Sequence, residues 1–360
     1  MSRENGGVDL HELWSADEMP VPLARALLAE ETRVADLDRG SAPSTRASRP
    51  TSVEVSAERM LRPLREHPAT GWRRTVSRVT AGLINVGPSI AELRDRELRA
   101  RVKTPVSGCR RIAFVSRKGG VGKTSTCVLT GHAFALHRGD RVVCLDANPD
   151  AGTLGHRLRR ENAATVTTLL SDAATIERYA DIRAFTSQAS SRLEVVAADD
   201  DPRVTEALGE EDYQRVIGLL ERHYNLVLLD TGTGILDSAT KGVLDAADQL
   251  VVVTLPTLDG TRAASLTLDW LEQNGYGELA CQSVAVLNAV RPGPSALDHD
   301  RVEAHFRERC RACVRLPWDP HLDTGAEVDP QLLAPTTRDA YLVLAAELAS
   351  AFSAPSPRRC

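Results

Sequence analysis

From residue 111 onward, short apolar runs alternate with segments of helix length, and this alternation constrains the fold more than any other feature of the sequence. The apolar runs are rich in Val, Ile and Leu and occupy residues 111–116, 141–145, 193–197, 226–229, 250–254 and 283–287. The segments between them that are long enough for helices are 124–137, 210–224, 236–246, 261–273 and 296–310. Strands that are apolar on both faces and separated by helices are typical of a mostly parallel sheet covered on both sides. The pattern predicts a three-layer α/β domain over residues 111–353.

Charge divides the chain into three regions. Residues 1–60 carry 7 basic and 11 acidic residues, residues 61–111 carry 12 and 4, and residues 112–360 carry 25 and 34. Within the first region, residues 39–56 are rich in Ser, Pro and Thr and show no apolar periodicity. We therefore expect residues 1–60 to be disordered, and we expect the same of the tail at 354–360.

Residues 61–110 form a basic extension for which the sequence predicts helices. Residues 71–79 mix apolar and cationic side chains at roughly helical spacing. Ser89 follows a Gly-Pro turn and could cap a helix that runs to Arg101, with Glu92 completing a capping box. Such an extension could lie on an anionic membrane or a nucleic acid, or it could dock on the acidic domain of its own chain.

The remaining composition excludes several classes of protein. Apolar runs are far shorter than the ~20 residues that cross a bilayer, and the first residues lack the apolar core of a signal peptide. The 7 cysteines, an odd number scattered over 360 residues, do not form a disulfide framework. Cys310 and Cys313, which we expect at an arginine-rich helix end over residues 310–313, do not alone supply the four ligands of a zinc site. We expect a cytoplasmic protein in a reducing setting.

A glycine-rich segment, the phosphate loop, follows the first predicted strand. Residues 117–125 read Arg-Lys-Gly-Gly-Val-Gly-Lys-Thr-Ser, and they hold two of the chain's four lysines, the other 40 basic residues being arginines. Backbone N–H groups of such a turn can point at phosphate oxygens, with the following helix N-terminus behind them. Lys123 would neutralise the β and γ phosphates, and the Thr124 hydroxyl would complete the oxygen shell of Mg²⁺. The predicted phosphate-binding residues are Gly119, Gly120, Val121, Gly122, Lys123, Thr124 and Ser125.

The loop departs from the standard phosphate-binding pattern, which requires glycine where Arg117 stands. What the chain has instead is Lys-Gly-Gly-Val-Gly-Lys-Thr, with a second lysine at Lys118. This sequence resembles the deviant Walker A motif of the MinD/ParA family of P-loop ATPases. The resemblance implies ATP and Mg²⁺ as cofactors and an ATP-dependent homodimer. It also implies that Lys118 reaches the phosphates bound to the partner subunit.

A second part of the resemblance is the end of the next strand, which reads Asp-Ala-Asn-Pro from Asp146. The family usually has Asp-x-Asp-Pro, so Asp146 matches and Asn148 replaces the second aspartate. The resemblance thus assigns catalytic roles to Lys118, Lys123, Asp146 and Asn148. An amide can orient a water but cannot take its proton, so hydrolysis is expected to be slow. Asp150 is close enough in sequence to substitute, and phosphoryl transfer depends mostly on positioning and charge stabilisation.

Later segments extend the resemblance to residue 352. Asp230 ends the apolar run 226–229 and is followed by two glycines at 232 and 234, which resembles the family's Walker B and switch II segment. By that resemblance Asp230 holds the Mg²⁺ shell through water. Asn288 resembles the strand-end asparagine that contacts adenine, and Pro317 begins a Pro-x-Asp segment like the one beside the base.

The resemblance also implies a function. Residues 71–152 are similar to actinobacterial MinD-like ATPases, including EspI-type proteins associated with type VII secretion. A Mg-ATP-dependent dimerising switch with slow hydrolysis is implied, acting on a protein partner in cell division, chromosome partitioning or type VII secretion. One alternative is a nucleotide-binding regulator or scaffold with negligible hydrolysis, which Asn148 favours. A second is DNA segregation in the ParA manner, which the acidic residues 112–360 disfavour and residues 61–111 alone could support. Peripheral contact with the inner face of a membrane through 61–111 also stays open.

Overall fold

The structure, a computed structural model, describes residues 89–149, 152–199, 201, 203, 208–234, 237–293 and 297–353. All of them belong to one compact unit of the chain, Glu66–Cys360. The expected disorder of residues 1–60 and 354–360, the helix predicted at 71–79 and the residue Asp150 lie outside the described residues.

An eight-stranded sheet runs through the described part of the chain, in the order β3-β4-β2-β5-β1-β6-β7-β8. Neighbouring strands are parallel except β3 and β4, which are antiparallel. The strands are β1 Arg110–Val115, β2 Val142–Ala147, β3 Ser187–Gln188, β4 Glu194–Val196, β5 Leu226–Thr231, β6 Gln249–Thr254, β7 Val284–Val290 and β8 Ala312–Pro317.

Helices cover both faces of this sheet. The helices are α1 Ile90–Val102, α2 Lys123–His137, α3 Val166–Ser171, α4 Tyr179–Arg183, α5 Glu210–Leu220, α6 Ser238–Ala246, α7 Leu258–Gln273, α8 Gly277–Cys281, α9 His299–Arg307, α10 Pro320–Asp323 and α11 Pro335–Ala349. One apolar core joins the sheet to α5, α6, α7 and α9, and the other joins it to α1, α2 and α11. The three-layer, mostly parallel prediction is confirmed. No helix in the described ranges is both long enough and apolar enough to cross a bilayer.

One prediction near the end of the chain needs correction. Residues 310–313 were expected at the end of a helix, but α9 ends at Arg307 and Cys313 lies in β8. The strand escapes a pattern search because Arg315 interrupts its apolar run and forms ion pairs with Asp300 and Glu303 of α9. The last helix, α11, packs in the core, since most of its leucines and alanines are buried.

The first helix, α1, is built into the domain. Its predicted capping box is present, since the Ser89 hydroxyl accepts from the Glu92 N–H and the Glu92 carboxylate accepts from the Ser89 N–H. At its other end Arg101 forms an ion pair with Glu347 of α11, 2.7 Å apart. At the start of β1, Arg111 contacts Asp248 and Glu221, each at 2.9 Å. The described part of the basic extension, residues 89–110, therefore packs against the α/β domain, and the three alternatives for the extension stay predictions.

Candidate functional site

The phosphate loop joins β1 to α2 through two glycines in the left-handed region, Gly120 with φ 72° and Gly122 with φ 83°. L-residues with a side chain rarely adopt such angles, so glycine is required there. Gly122 stands at the N-cap of α2 and supplies no side-chain hydrogen bond to the helix. The N–H groups of the first turn are thus free of a side-chain cap and face the loop, which is the usual arrangement for an anion at a helix N-terminus.

Asn288, at the end of β7, supports this loop from the neighbouring side of the sheet. Its amide Nδ2 donates to the Val121 carbonyl at 2.7 Å. A Cβ atom added at Gly122 would lie 2.2 Å from that Nδ2. The structure therefore places Asn288 against the loop. Its contact with adenine stays a prediction.

We expect Gly122→Ala to destabilise the protein and weaken nucleotide binding. A left-handed alanine costs about 1–2 kcal/mol, and the contact with Asn288 adds to that because one of the two must move. Thermal melting and nucleotide titration would measure both effects. Gly139→Ala is the matched control, since an added Cβ there meets nothing within 4 Å. Equal melting temperatures for the two variants would show that the loop is not constrained as described.

Lys123 and Asp230 meet beneath the loop. The Lys123 ammonium lies 2.7 Å from Asp230 Oδ1 and also donates to the Thr231 carbonyl. Both side chains are buried, with 9% and 1% of their surface exposed. The Thr231 hydroxyl donates to the Phe114 carbonyl at 2.8 Å, which ties the end of β5 to β1. Lys123 opens the helix that follows β1, and Asp230 lies in β5, the parallel neighbour of β1. The pairing of these two strands therefore brings the two predicted residues together.

Asp146 lies opposite Asp230 in the pairing of β2 with β5. Its carboxylate is fully buried and accepts from the Leu154 N–H at 3.0 Å and the Asn148 N–H at 3.3 Å. Burial and the charge of Asp230 raise the pKa of Asp146 to about 7. A Cβ at Gly152 would come within 2.1 Å of this carboxylate, so glycine allows the segment after β2 to fold over it.

Asn148 reaches the segment that follows β5. A Cβ added at Gly232 would lie 2.8 Å from Asn148 Oδ1 and 3.1 Å from Pro149 Cδ. The two segments that the sequence singled out after β2 and β5 are therefore in contact. Nearby, a Cβ at Gly234 would overlap the Asp237 carboxylate at 1.8 Å, so the turn before α6 is equally close-packed.

Lys118 differs from Lys123 in its surroundings. Its backbone N–H donates to the Ser116 hydroxyl at 3.2 Å, and that hydroxyl donates back to the Lys118 carbonyl at 3.2 Å. The side chain is half-buried, and within the described ranges it has no ion pair. The backbone of Lys118 is thus held by Ser116, and the reach of its ammonium to a partner subunit stays a prediction.

Other predicted residues take their places around the loop. Thr124 is half-exposed and Ser125 is buried in the first turn of α2, and Pro317 ends β8 opposite Val290. Asp319, two residues on, caps α10 and accepts from the Ala334 N–H at 2.9 Å. Asp319 therefore orders the chain after β8.

Arg157 is a residue that sequence reasoning missed. It ends the 3-10 helix Leu154–Arg157, and among the described residues its buried Nε has no hydrogen-bond partner. Burial lowers the pKa of its guanidinium, and the charge of Asp230 opposes that effect. No sequence signal separates it from the other arginines.

The sequence has recognisable relatives. Residues 109–271 match the sequence model of a family described as "AAA domain". Over 285 residues the chain is 39% identical to the ESX-1 secretion-associated protein EspI of Mycobacterium tuberculosis, an alignment that covers 78% of this chain and 42% of EspI. Over 183 residues it is 26% identical to the septum site-determining protein MinD of Synechocystis, covering 50% of this chain and 65% of that protein. In sequence and in fold the chain is therefore similar to the MinD/ParA family of P-loop ATPases.

Solved structures of the MinD/ParA family share the fold described above. The cell division ATPase MinD of Pyrococcus furiosus superposes with a TM-score of 0.53 at 20% identity, over 66% of this chain and 98% of that one. The septum site-determining protein MinD of Pyrococcus horikoshii, complexed with Mg-ADP, gives 0.51 at 18% identity, over 67% and 96%. The alignment covers 42% of EspI, so this chain spans less than half the length of that relative.

Proposed function

We propose that this protein is an ATP-dependent switch. Binding of Mg-ATP at residues 118–125 closes a homodimer, slow hydrolysis reopens it, and a protein partner, not yet identified, distinguishes the two states. The observation that carries the proposal is the buried pair of Lys123 and Asp230 beneath a loop of left-handed glycines, with the Lys118 side chain only half-buried above it. The Mg-ADP bound to the MinD of Pyrococcus horikoshii supports the choice of ligand.

The residues present fit a nucleotide with its metal. Added Cβ atoms at Gly119 and Gly120 would meet nothing within 4 Å, so the outer side of the loop is open. The Thr124 hydroxyl and the Asp230 carboxylate are hard oxygen donors of the kind that Mg²⁺ prefers, Asp230 acting through water. When bound, Mg²⁺ supplies positive charge to the phosphates.

Lys123 has a different partner in each state of this proposed cycle. In the structure its ammonium neutralises Asp230, which would otherwise be a buried unpaired carboxylate. In the nucleotide complex the Lys123 ammonium would bond to phosphate oxygens, and Asp230 would hold a water of the magnesium shell. The loop thereby exchanges one set of charge-assisted hydrogen bonds for another.

Hydrolysis is proposed to be slow because Asn148 can orient the attacking water without accepting its proton. Asp146 is a positioning residue in this scheme. Its carboxylate is fully buried, and its acceptor bonds to the N–H groups of Asn148 and Leu154 hold the segment that presents the amide. The same observation favours the second candidate, a nucleotide-binding regulator with negligible hydrolysis.

We expect Asn148→Asp to raise ATP turnover about 10-fold or more, because a general base contributes about 10²–10⁴ in rate when its pKa is suitable. The charges of Asp146 and Asp230 nearby limit the gain by raising the pKa of the new carboxylate. Phosphate release at saturating ATP measures it, with Asn148→Ala as the control that removes water positioning. A turnover equal in all three proteins would mean that residue 148 has no part in hydrolysis.

The switch itself is tested by measuring mass in solution with ATP, with ADP and without nucleotide. Sedimentation of the full chain should show a dimer with ATP in the presence of Mg²⁺ and a monomer in the other two conditions. ATP binding without any change of mass would contradict the dimerising switch while leaving the nucleotide site in place.

Among pathways we propose secretion rather than cell division, since the identity to EspI is 39% and that to the Synechocystis MinD is 26%. Deleting the gene should alter the set of secreted proteins, and a Lys123→Ala copy should fail to restore it. A normal secretion profile with misplaced division septa would favour the division role instead.

DNA segregation is less well supported. Residues 112–360 carry 25 basic and 34 acidic residues, whereas DNA binding requires a positive face. Arg101 of the extension and Arg111 of β1 are each paired with a carboxylate of the same domain. Co-sedimentation of the full chain with DNA and with anionic vesicles at increasing salt tests these roles. Binding to DNA would support DNA segregation, binding to vesicles would support the peripheral membrane role, and binding to neither would leave the switch alone.

A further inference from the structure

An open pocket, the basic pocket, lies at the edge of the sheet where β2 and β5 begin. Its volume is about 920 Å³, within the ~300–1,000 Å³ of ordinary small-molecule sites. The six residues of β2, at about 3.3 Å each, place it roughly 20 Å from the phosphate loop, which lies at the opposite edge. The charged and titratable residues that line the basic pocket are Arg141, Glu177, Arg178, Arg215, Arg222 and His223.

Positive charge predominates in the basic pocket. Four of its lining residues are arginines, and one, Glu177, is a carboxylate. Two further carboxylates stand beside it, since Asp181 lies 3.4 Å from Arg178 and Asp212 lies 3.8 Å from Arg215. The arginines of both pairs are exposed, and exposed ion pairs are weak in water. These two pairs therefore compete little with an anion that enters the pocket.

Arg141 is held in place by the residues around it. Its guanidinium stacks on the Tyr179 ring, 3.7 Å from the ring centre, and donates to the His223 carbonyl at 3.5 Å. The Tyr179 hydroxyl donates to the buried carboxylate of Glu194, which also accepts from the Tyr224 hydroxyl at 2.6 Å. A planar guanidinium fixed by stacking loses little conformational freedom when a ligand binds, so this side of the pocket is preformed.

Arg222 supplies a second guanidinium to the pocket. It follows α5, its side chain is exposed, and among the described residues neither Arg222 nor Arg141 forms an ion pair. The imidazole of His223 responds to both charges: burial lowers its pKa, and Arg222 and Arg141 lower it further, against the opposing charge of Asp181. Two cations that no carboxylate of the described residues neutralises therefore line one pocket.

We propose that the basic pocket binds a phosphate monoester through Arg141 and Arg222. At pH 7 a phosphate monoester carries a charge of about −1.5 to −2 and three acceptor oxygens, so it can engage two guanidinium forks. A carboxylate carries a single charge and is matched by one arginine. Arg178 and Arg215 add positive charge at the rim. The phosphate belongs either to a soluble small molecule or to a lipid headgroup, and the experiment separates these sources.

The proposal is tested by following the ring-proton NMR signals of His223, assigned with His223→Gln, while inorganic phosphate is titrated into the full chain. In the natural protein the signals should shift and saturate. Arg222→Ala should raise the half-saturating phosphate concentration at least about fivefold, because one of two charge-assisted contacts is lost. Arg141→Lys keeps the charge but loses the planar stack on Tyr179, and should raise that concentration about threefold.

Arg338→Ala is the matched control, because Arg338 is an exposed arginine of α11 outside the basic pocket and its loss changes the net charge equally. Its half-saturating concentration should equal that of the natural protein. His223 lies at the opposite edge of the sheet from the phosphate loop, so its signals report the basic pocket even where phosphate also enters the loop.

Sedimentation with vesicles identifies the source of the phosphate. Binding to phosphatidate vesicles but not to phosphatidylcholine vesicles, abolished by Arg222→Ala, would support the proposal with a lipid headgroup as the ligand. Saturation by inorganic phosphate without sedimentation would support it with a soluble ligand.

Three results would overturn the inference. Signals of His223 that move equally with sodium chloride and with phosphate would show an effect of ionic strength and no site. Equal half-saturation in Arg222→Ala and in the natural protein would mean that the arginine does not bind phosphate. Acetate that saturates the signals at the same concentration as phosphate would make carboxylates, and hence acidic peptides, the ligands instead.

Discussion

Replacing Lys123 by alanine is expected to abolish ATP binding. The ammonium is buried beside the loop and is the cation that the glycine N–H groups cannot replace. Charge-assisted hydrogen bonds contribute about 1.5–3 kcal/mol each, so loss of two of them to the phosphates lowers affinity at least about 100-fold. Titration of the variant with a fluorescent ATP analogue measures this loss.

The same substitution leaves Asp230 buried without its ion pair, which costs about 3–5 kcal/mol of folding stability in comparable cases. The double variant Lys123→Ala with Asp230→Asn removes both charges and should recover most of the melting temperature without recovering ATP binding. Lys241→Ala is the control lysine, since it pairs with Glu210 on the surface at 2.9 Å, away from the loop. Unchanged nucleotide affinity in a folded Lys123 variant would contradict the assignment of the site.

The central part of the site could be predicted because its geometry follows from the fold class. Carboxyl ends of parallel strands meet at one edge of a sheet, so an aspartate ending β2 and one ending β5 were bound to lie near the loop after β1. Their register, Asp146 opposite Asp230, is observed. The phosphate loop was equally predictable, since its glycines are required by backbone angles that are fixed locally.

Contacts between distant segments could not be predicted in this way. The bond from Asn288 to the Val121 carbonyl joins residues 167 positions apart, and nothing in either segment indicates it. Arg157 ends the 3-10 helix that follows β2, and no motif in the sequence distinguishes it from the other arginines. The capping box of α1 was predictable from four residues, whereas its docking through Arg101 onto Glu347 depends on the position of α11.

Lys118→Ala is expected to separate binding from dimerisation. Because its ammonium is half-exposed and its backbone is held by Ser116, removal of the side chain should leave ATP affinity of the monomer within about 2-fold and the fold unchanged. If the side chain reaches phosphate in the partner subunit, each closed dimer loses two charge-assisted contacts. At about 1.5–3 kcal/mol for each, dimerisation with ATP weakens at least about 100-fold, and turnover falls with it.

Arg117→Ala is the matched control for the Lys118→Ala prediction. Arg117 is the exposed neighbour of Lys118, so it changes the same net charge one position away and should have little effect on dimerisation. Sedimentation with ATP over a range of protein concentrations measures the dimer, and titration at nanomolar protein measures the monomer. A Lys118 variant that loses ATP affinity equally at both concentrations would place the ammonium on the phosphates of its own subunit. The two lysines of the loop would then act as one site, and the switch would need another source of its dependence on ATP.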